Sequence, residues 1–305
     1  MRLFAYDDPA DGPAVGLLVG DRVVPLAWGS VVGALLEEDG LAALRRSAEP
    51  LRGARGLAVS DLPPRPAVDA GKIVCVGLNY RDHVTEGAGR TVPERPLLFG
   101  KFPSALVGDG EAVVRPEGCR ALDLEVELGV VIGKRARRVT EAEAPAHVAG
   151  YVVVNDISAR DWQGSPPALR EGERGDGQWL RAKGSDTFLP MGPVLVTADE
   201  LDPAAGLALR SWRIPGAGPD AGTPRLMQEG STRDLIWPVP ELIAFISRQI
   251  TLDAGDVIAT GTPAGVGVFR TPPVFLEPGD RVRCEIDGIG SVENPIVDWT
   301  DDPRA

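Results

Sequence analysis

The sequence predicts a β-rich α+β protein in which a small N-terminal α+β unit, residues 1–66, precedes a larger domain, residues 67–305. The chain has 37 Gly and 28 Pro among 305 residues, which favours many turns and short elements over long helices. Short apolar runs typical of strands recur along its length. A proline-rich segment, residues 60–66, predicts a link between the two parts.

Composition narrows the function classes. A hydrophobic content of 43% and a charged content of 25% are ordinary for a soluble globular protein with a sizeable core. The formal charge of −12 argues against a nucleic-acid partner or an anionic membrane, since both need basic surface. The N-terminus lacks an apolar signal region, and no uninterrupted apolar run approaches the ~18 residues of a membrane span. We therefore expect a cytoplasmic protein. Its three widely spaced cysteines favour a reducing compartment.

The sequence of the N-terminal unit predicts secondary structure but no catalytic residues. Strand-like residues 14–19 and 22–26 flank Gly20-Asp21, a pair typical of a hairpin turn. A Leu- and Ala-rich stretch, roughly 31–46, predicts a helix. No catalytic constellation is expected before residue 70.

The segment from Asp123 to Gly133 predicts a strand that carries two acids. Every second residue from Leu124 to Ile132 is apolar and is expected on one face, with Glu125 and Glu127 on the other. Two carboxylates on one face of a buried strand repel each other, and each is costly to desolvate. They must therefore reach solvent, share a proton or bind a cation.

A third acid favours the cation. Asp156 ends another apolar strand, predicted over residues 151–155. Carboxylate oxygens are preferred by hard cations such as Mg²⁺, Mn²⁺ or Ca²⁺, whereas zinc more often recruits His or Cys. Three protein ligands leave positions for water and substrate, which is the catalytic arrangement.

A histidine and a glutamate suggest a base. His83 and Glu86 are three residues apart, so one helical turn would place them on the same side. A carboxylate that orients an imidazole fixes its tautomer and raises its basicity, as a water-activating base requires. Taken alone, a bare His-x-x-Glu is more often an incidental surface pair.

Other polar residues are candidates at the same site. Lys183, between apolar residues and a glycine, is placed to stabilise an enolate or carboxylate oxygen near a metal. Lys101 could contact a substrate carboxylate or could be a surface lysine, and the sequence supports these two interpretations equally. Gln163 could face the site, and Thr262, in a Gly-rich loop, is expected to approach a ligand. Arg160 is expected to pair with Asp161 at a strand end.

Taken together, segments within residues 70–297 resemble the fumarylacetoacetate hydrolase family. The matching segments, in chain order, are Val76–Tyr80 with His83 and Glu86, Asp123–Gly133, Asn155–Asp161, Ala182–Phe188 with Gly192-Pro193, Pro238–Leu242 and Gly261–Gly267. Each segment alone is a weak signal, but six in the same order are a specific one.

The resemblance implies a mixed β-roll or sandwich for the larger domain, usually in a dimer. It also implies a Mg²⁺ or Mn²⁺ site and assigns roles to the following residues: Glu125, Glu127 and Asp156 as metal ligands, His83 and Glu86 as the water-activating dyad, Lys183 as the family lysine, and Gln163 and Thr262 on the substrate side. Segments 164–178 and 214–224 depart from the family pattern, which affects the inferred substrate more than the inferred metal.

These residues and the resemblance predict a metal-dependent hydrolase that cleaves a C–C bond in a β-dicarbonyl 2-oxo acid, such as an acylpyruvate or a fumarylacetoacetate-like compound. Its expected partners are a small-molecule 2-oxo acid and a second copy of the chain, with no nucleic acid and no membrane. The same site without water attack gives a decarboxylase of oxaloacetate-like acids, and with proton transfer it gives an isomerase or tautomerase. An alternative outside the enzymes is a metal-binding component of a pathway that has no catalytic activity. The His83–Glu86 pair favours hydrolysis.

Overall fold

The computed structural model describes residues 1–87, 91–175 and 177–304. Its strands are β1 (Arg2–Asp8), β2 (Gly12–Val19), β3 (Arg22–Pro25), β4 (Leu57–Ala58), β5 (Ile73–Gly77), β6 (Leu97–Lys101), β7 (Leu106–Val107), β8 (Val113–Arg115), β9 (Leu122–Asp123), β10 (Val126–Ile132), β11 (Val148–Asn155), β12 (Ser158–Ala159), β13 (Leu189–Pro190), β14 (Val194–Thr197), β15 (Ala208–Ile214), β16 (Arg225–Ser231), β17 (Val257–Ala259), β18 (Arg281–Ile286) and β19 (Gly290–Asp298). Its α-helices are α1 (Val31–Leu35), α2 (Leu41–Ala48), α3 (Arg81–Glu86), α4 (Arg160–Gln163), α5 (Trp179–Gly184) and α6 (Val239–Ser247).

Two large sheets organise the described residues. One has ten strands in the order β4-β3-β2-β1-β14-β11-β10-β17-β5-β6, and the other has five in the order β16-β15-β18-β19-β8. Most neighbours are antiparallel, but β17 pairs with β5 in parallel and β19 with β8 in parallel. The predicted β-rich α+β class is confirmed.

The strand β10 is buried on both faces, which explains its long apolar run. Val126, Leu128, Val130 and Ile132 belong to the hydrophobic cluster shared with the five-stranded sheet and α6. Val131 belongs to the cluster on the opposite face. Since side chains alternate between the faces of a strand, a strand inside such a sandwich must be apolar at nearly every position.

One expectation about this strand is wrong. Leu124 packs in the cluster of Val131 rather than that of Val126, so the apolar residues from 124 to 132 do not share one face. The ladder is interrupted between β9 and β10, and Glu125 lies in this break. There the backbone N–H groups of Glu125 and Val126 bond to side chains, as described below.

The N-terminal hairpin is confirmed, and its helix is shorter than expected. β2 and β3 pair around Gly20-Asp21. The predicted helix over 31–46 is divided into α1 and α2, and Gly40, directly before α2, adopts a positive φ of 45°. Strand β1 pairs with β14, so the N-terminal strands extend the sheet of the larger part. The division at residue 66 stays a prediction.

Candidate active site

The three predicted metal ligands converge. Glu125, Glu127 and Asp156 each offer a carboxylate oxygen, and these oxygens lie within 4.8 Å of one another. All three residues are buried, at 4%, 2% and 0% exposure. They line a cavity of about 380 Å³. Carboxylates this close are stable in a dry interior only with positive charge nearby.

Sheet pairing brings the acids together. Val126, the first residue of β10, pairs with Asn155, the last residue of β11. Glu125 comes directly before Val126 and Asp156 directly after Asn155, so the two acids leave the antiparallel pair at the same end. In the break before β10, the Glu125 N–H donates to Asn155 Oδ1 at 3.0 Å, and the Val126 N–H donates to Gln228 Oε1 at 2.9 Å. Side-chain acceptors therefore replace the ladder where Glu125 turns into the site.

Lys183 bridges two of the acids. Its Nζ lies 2.5 Å from Glu125 Oε2 and 2.8 Å from Asp156 Oδ2. Burial opposes the lysine's charge, but the two carboxylates outweigh burial and raise its pKa above the ordinary value. Lys183 is thus a fixed ammonium at the centre of the site, and its predicted contact with a substrate oxygen stays a prediction.

Arg160 is the cation that sequence reasoning misplaced. It does not pair with Asp161: its Nη2 lies 2.5 Å from Glu125 Oε1 and its Nε 2.9 Å from Asp123 Oδ2. Asp161 instead accepts the Arg120 N–H at 2.9 Å. The chain turns from β12 into α4 at Arg160, which aims the guanidinium back at β9. Sequence spacing alone favours pairing of Arg160 with the adjacent Asp161, but the turn directs its guanidinium to Asp123 and Glu125.

Lys101 lies behind the site rather than on its surface or its lining. It is 5% exposed. Its Nζ donates to the carbonyls of Ile157 at 3.1 Å, Phe188 at 2.8 Å and Lys183, and it lies 2.7 Å from Asp156 Oδ1. The surface alternative is wrong. The described lining of the cavity does not include Lys101, so the structure does not support direct contact with substrate.

The pKa values of the two glutamates move in opposite directions. Burial disfavours the Glu125 carboxylate, but Arg160 and Lys183 outweigh burial and hold its pKa well below the usual range. Burial raises the pKa of Glu127, and the like charges of Asp156 and Glu125 raise it further. Glu127 accepts one hydrogen bond from the Gly261 N–H at 2.8 Å, which only partly offsets this effect.

The carboxylates fit a hard divalent cation. Asp156 Oδ1 is buried and accepts no hydrogen bond, because the three hydrogen bonds of the nearby Lys101 go to carbonyl oxygens. Beside the Lys101 ammonium, Asp156 Oδ1 thus keeps a lone pair free for a ligand, and the raised pKa of Glu127 indicates too little positive charge for the acids present. An all-oxygen donor set suits Mg²⁺, Mn²⁺ or Ca²⁺. Glu125, Glu127 and Asp156 are the residues that would hold the ion.

The predicted dyad forms on α3. His83 Nδ1 lies 2.6 Å from Glu86 Oε1, and Glu86 Oε2 accepts the Gly265 N–H at 2.8 Å. A carboxylate can only accept, so Nδ1 carries the proton and Nε2 is left as a base. His83 lines the cavity of the acids and is 5% exposed. Its neighbour Glu86 is held on both oxygens.

The loop between β5 and α3 aims the dyad. Leu78 has a positive φ of 56°, an uncommon conformation for a residue with a side chain. Asn79 then fixes the chain: its Nδ2 donates to the carbonyls of Thr260 and Trp237, and its Oδ1 accepts the Trp237 N–H at 2.8 Å. Because that anchor is buried, α3 starts from a defined point.

The predicted substrate-side residues line the same cavity. Gln163 Oε1 accepts from Arg160 Nη1 at 3.2 Å. Thr262 Oγ1 donates to the Val126 carbonyl at 2.9 Å and accepts from Gln228 Nε2 at 2.6 Å. The Thr262 hydroxyl is therefore fixed in orientation by β10 and by Gln228, a residue that sequence reasoning did not assign to the site.

Two aromatic residues of the lining were also missed. Phe99 on β6 and Trp179 on α5 line the cavity with the acids. Neither carries a titratable group, and no spacing rule brings residues 80 positions apart to one wall. Only the tertiary structure shows them as neighbours, with ring centroids 5.4 Å apart.

Comparisons with known proteins agree with this geometry. The family model described as fumarylacetoacetate (FAA) hydrolase C-terminal matches residues 72–297. Oxaloacetate tautomerase FAHD2A, mitochondrial, of Homo sapiens is 44% identical over 232 residues, 76% of this chain and 68% of that protein. Oxaloacetate tautomerase Fahd2a, mitochondrial, of Rattus norvegicus is 38% identical over 309 residues, 97% of this chain and 92% of that protein.

A solved structure is also similar to this chain over nearly its whole length. The 5-carboxymethyl-2-hydroxymuconate delta-isomerase from Mycobacterium smegmatis has a TM-score of 0.75 and 32% identity, over 98% of this chain and 100% of its own. None of the helices among the described residues has the length and hydrophobicity of a membrane-spanning segment. These similarities support an enzyme with the fold predicted from the six segments. The chain belongs to the fumarylacetoacetate hydrolase family.

Proposed function

We propose that the chain is a metal-dependent tautomerase of 2-oxo acids, which interconverts their enol and keto forms, with oxaloacetate as the first candidate substrate. The observation that carries the proposal is the meeting of the carboxylate triad, the Lys183 ammonium and the His83–Glu86 dyad in one cavity. The site thus combines a base and a fixed cation beside a place for a metal.

Each group has a role in proton transfer between C3 and the 2-oxo oxygen. Mg²⁺ or Mn²⁺ held by the three carboxylates would supply Lewis acidity that favours the enolate over the free ketone. His83, with Nδ1–H bound to Glu86, presents Nε2 to take or return the C3 proton. Lys183 keeps its charge in the dry cavity and offsets negative charge on a substrate oxygen.

The charge balance also suits an anionic substrate. Among the described residues around the cavity, four buried carboxylates face three buried cations, which leaves one net negative charge when all are ionised. The residues are Asp123, Glu125, Glu127 and Asp156 against Lys101, Arg160 and Lys183. A divalent cation would change the net charge of these seven residues from negative to positive, which favours a carboxylate beside them.

The relatives favour this reaction over the expected hydrolysis. The names of the two mammalian relatives specify oxaloacetate tautomerases, and the bacterial structure is named as a delta-isomerase. Both names describe isomerisation, which needs no attacking water. C–C bond hydrolysis of an acylpyruvate is the second candidate, because the His83–Glu86 dyad could equally deprotonate a water.

One assay separates the reactions. Oxaloacetate and an acylpyruvate are each offered to the purified protein with Mg²⁺, Mn²⁺ or Ca²⁺, and enol–keto conversion, CO₂ release and C–C cleavage are scored separately. We expect enol–keto conversion of oxaloacetate to be the fastest reaction and to stop when EDTA removes the metal. C–C cleavage as the main reaction would favour the hydrolase, and undiminished conversion in EDTA would overturn the metal's role.

Two further expectations stay proposals. We propose a homodimer, which sedimentation equilibrium would test by giving twice the 32.2 kDa chain mass. The names of the mammalian relatives place those proteins in mitochondria, so the cytoplasmic location expected from the sequence is not confirmed. Fluorescent tagging in the source cell tests the compartment.

A further inference from the structure

One side of the cavity is an aromatic wall, defined here as Phe99 and Trp179. Their rings meet edge to face, at 67° with 5.4 Å between centroids. Lys183 Nζ lies 5.2 Å from the Phe99 ring centroid. A continuous surface therefore runs from the central ammonium across Phe99 to Trp179.

Neighbouring segments hold this wall in place. Trp179 opens α5, and Lys183 follows four residues later on the same side of the helix. Phe99 pairs with Cys75 across β5 and β6. Gly77 of β5 packs beside the indole, since a Cβ built there would be in ordinary contact with Trp179 Cζ3 at 3.7 Å.

Burial gives the cavity a direction. The three carboxylates are at most 4% exposed, whereas Phe99 and Trp179 are half-buried. A 2-oxo acid whose polar end reaches the acids must leave its distal group nearer the opening. The two cations of the lining, the Arg160 guanidinium and the Lys183 ammonium, are already ion-paired to Glu125. The wall therefore offers the distal group apolar contact.

We infer that the aromatic wall selects 2-oxo acids whose distal group is flat and apolar, above all an aryl ring. Aromatic rings favour offset or edge-to-face contact with a ring held in this way. The inference rests on the proposed tautomerase function. The reaction needs no co-reactant: the enol O–H bond breaks, a C3–H bond forms, and the proton count is unchanged.

The test compares enol–keto conversion of phenylpyruvate and oxaloacetate by the Mg²⁺-loaded protein. We expect wild-type kcat/KM for phenylpyruvate to equal or exceed that for oxaloacetate. Trp179→Ala should lower the ratio of these two kcat/KM values about tenfold, mostly through a higher KM for phenylpyruvate. Trp179→Phe, which keeps a ring, should retain most of the ratio.

Leu180→Ala is the matched control. Leu180 is the next residue on α5, is 58% exposed and is not part of the described cavity lining, so the ratio should not change. A second wall variant, Phe99→Leu, should lower the ratio independently of Trp179. Circular dichroism and thermal melts confirm that each variant is folded before its kinetics are compared.

The outcomes are distinguishable. Conversion of oxaloacetate without phenylpyruvate, or an unchanged ratio in both wall variants, overturns the aromatic specificity and leaves the tautomerase standing. Conversion of neither acid overturns the proposed function and the inference with it. A ratio that falls in Leu180→Ala as much as in Trp179→Ala would also overturn the wall's role.

Discussion

The two halves of the site are held by different forces. The metal half depends on buried charge: Glu125 and Asp156 are bridged by Lys183, with Arg160 and Lys101 on either side. The base half depends on local spacing and backbone contacts: His83 and Glu86 share one turn of α3, and Glu86 accepts the Gly265 N–H. Substitutions that break ion pairs in the metal half should therefore lower both activity and the free energy of unfolding, whereas substitutions in the base half should lower activity alone.

Within the metal half, Glu127 is the acid least tied to cations. It accepts the Gly261 N–H, and no ion pair is recorded for it among the described residues. Glu125, by contrast, is the counter-ion of Arg160 and Lys183. Loss of Glu125 would leave two buried cations without this partner, so the loss of Glu127 should affect folding less than the loss of Glu125.

The largest expected effect is that of Glu127→Gln. The change keeps the shape of the side chain but removes a ligand charge, so metal-dependent turnover should fall about a thousandfold. Calorimetric titration with Mg²⁺ should show binding lost, while the thermal melt of the metal-free protein stays at least as high as that of wild type. Mg²⁺ affinity within twofold of wild type would show that Glu127 is not a ligand.

Lys101→Met should act mainly on stability. The change leaves Asp156 and three carbonyl oxygens without their buried partner, and breaking a buried pair typically costs about 3–5 kcal/mol. Urea unfolding measures the free energy directly. Arg46→Met is the control, since it removes an exposed pair with Asp39 and should change stability little. Equal losses in the two variants would contradict the contrast between buried and exposed charge.

His83→Ala should act on turnover alone. Removal of the base should lower kcat about a hundredfold or more, with Mg²⁺ affinity and urea stability close to those of wild type. Glu86→Gln should lower kcat less, because His83 stays in place but loses the carboxylate that fixes its tautomer. Full turnover in His83→Ala, on either oxaloacetate or an acylpyruvate, would remove the dyad from the mechanism.

The smallest expected effect is a pH dependence of the metal-free protein. The pKa of Glu127 is raised in the folded state, so above the pKa of an unfolded glutamate the folded state binds more protons than the unfolded state. Stability should then fall as pH rises from about 4 towards the folded pKa of Glu127. Melts in EDTA should show this fall in wild type and a smaller one in Glu127→Gln. A steeper fall in the variant would contradict the assignment.

Much of the site was predictable because its chemistry is local in sequence. His83 and Glu86 are three residues apart, and Glu125 and Glu127 are two apart, so the helical turn and the strand bring each pair together. Lys183 stood out because a lysine among apolar residues must find a partner. The fold class followed from many short apolar segments and frequent glycine and proline.

What the sequence did not reveal depends on contacts between distant segments. Arg160 faces Asp123 and Glu125, rather than the adjacent Asp161, because the turn after β12 aims it there.

Lys101 and the aromatic wall show the same limit. Lys101 is buried because carbonyls of three remote residues surround its ammonium. Phe99 and Trp179 meet only because α5 packs beside β6. The sequence by itself singled out the acids, the histidine and the lysine that meet in one cavity, since residue type and short spacing carry that information. The tertiary structure alone decided which cations neutralise these acids and which aromatic rings line the cavity beside them, since both require charge and shape to be matched across the fold.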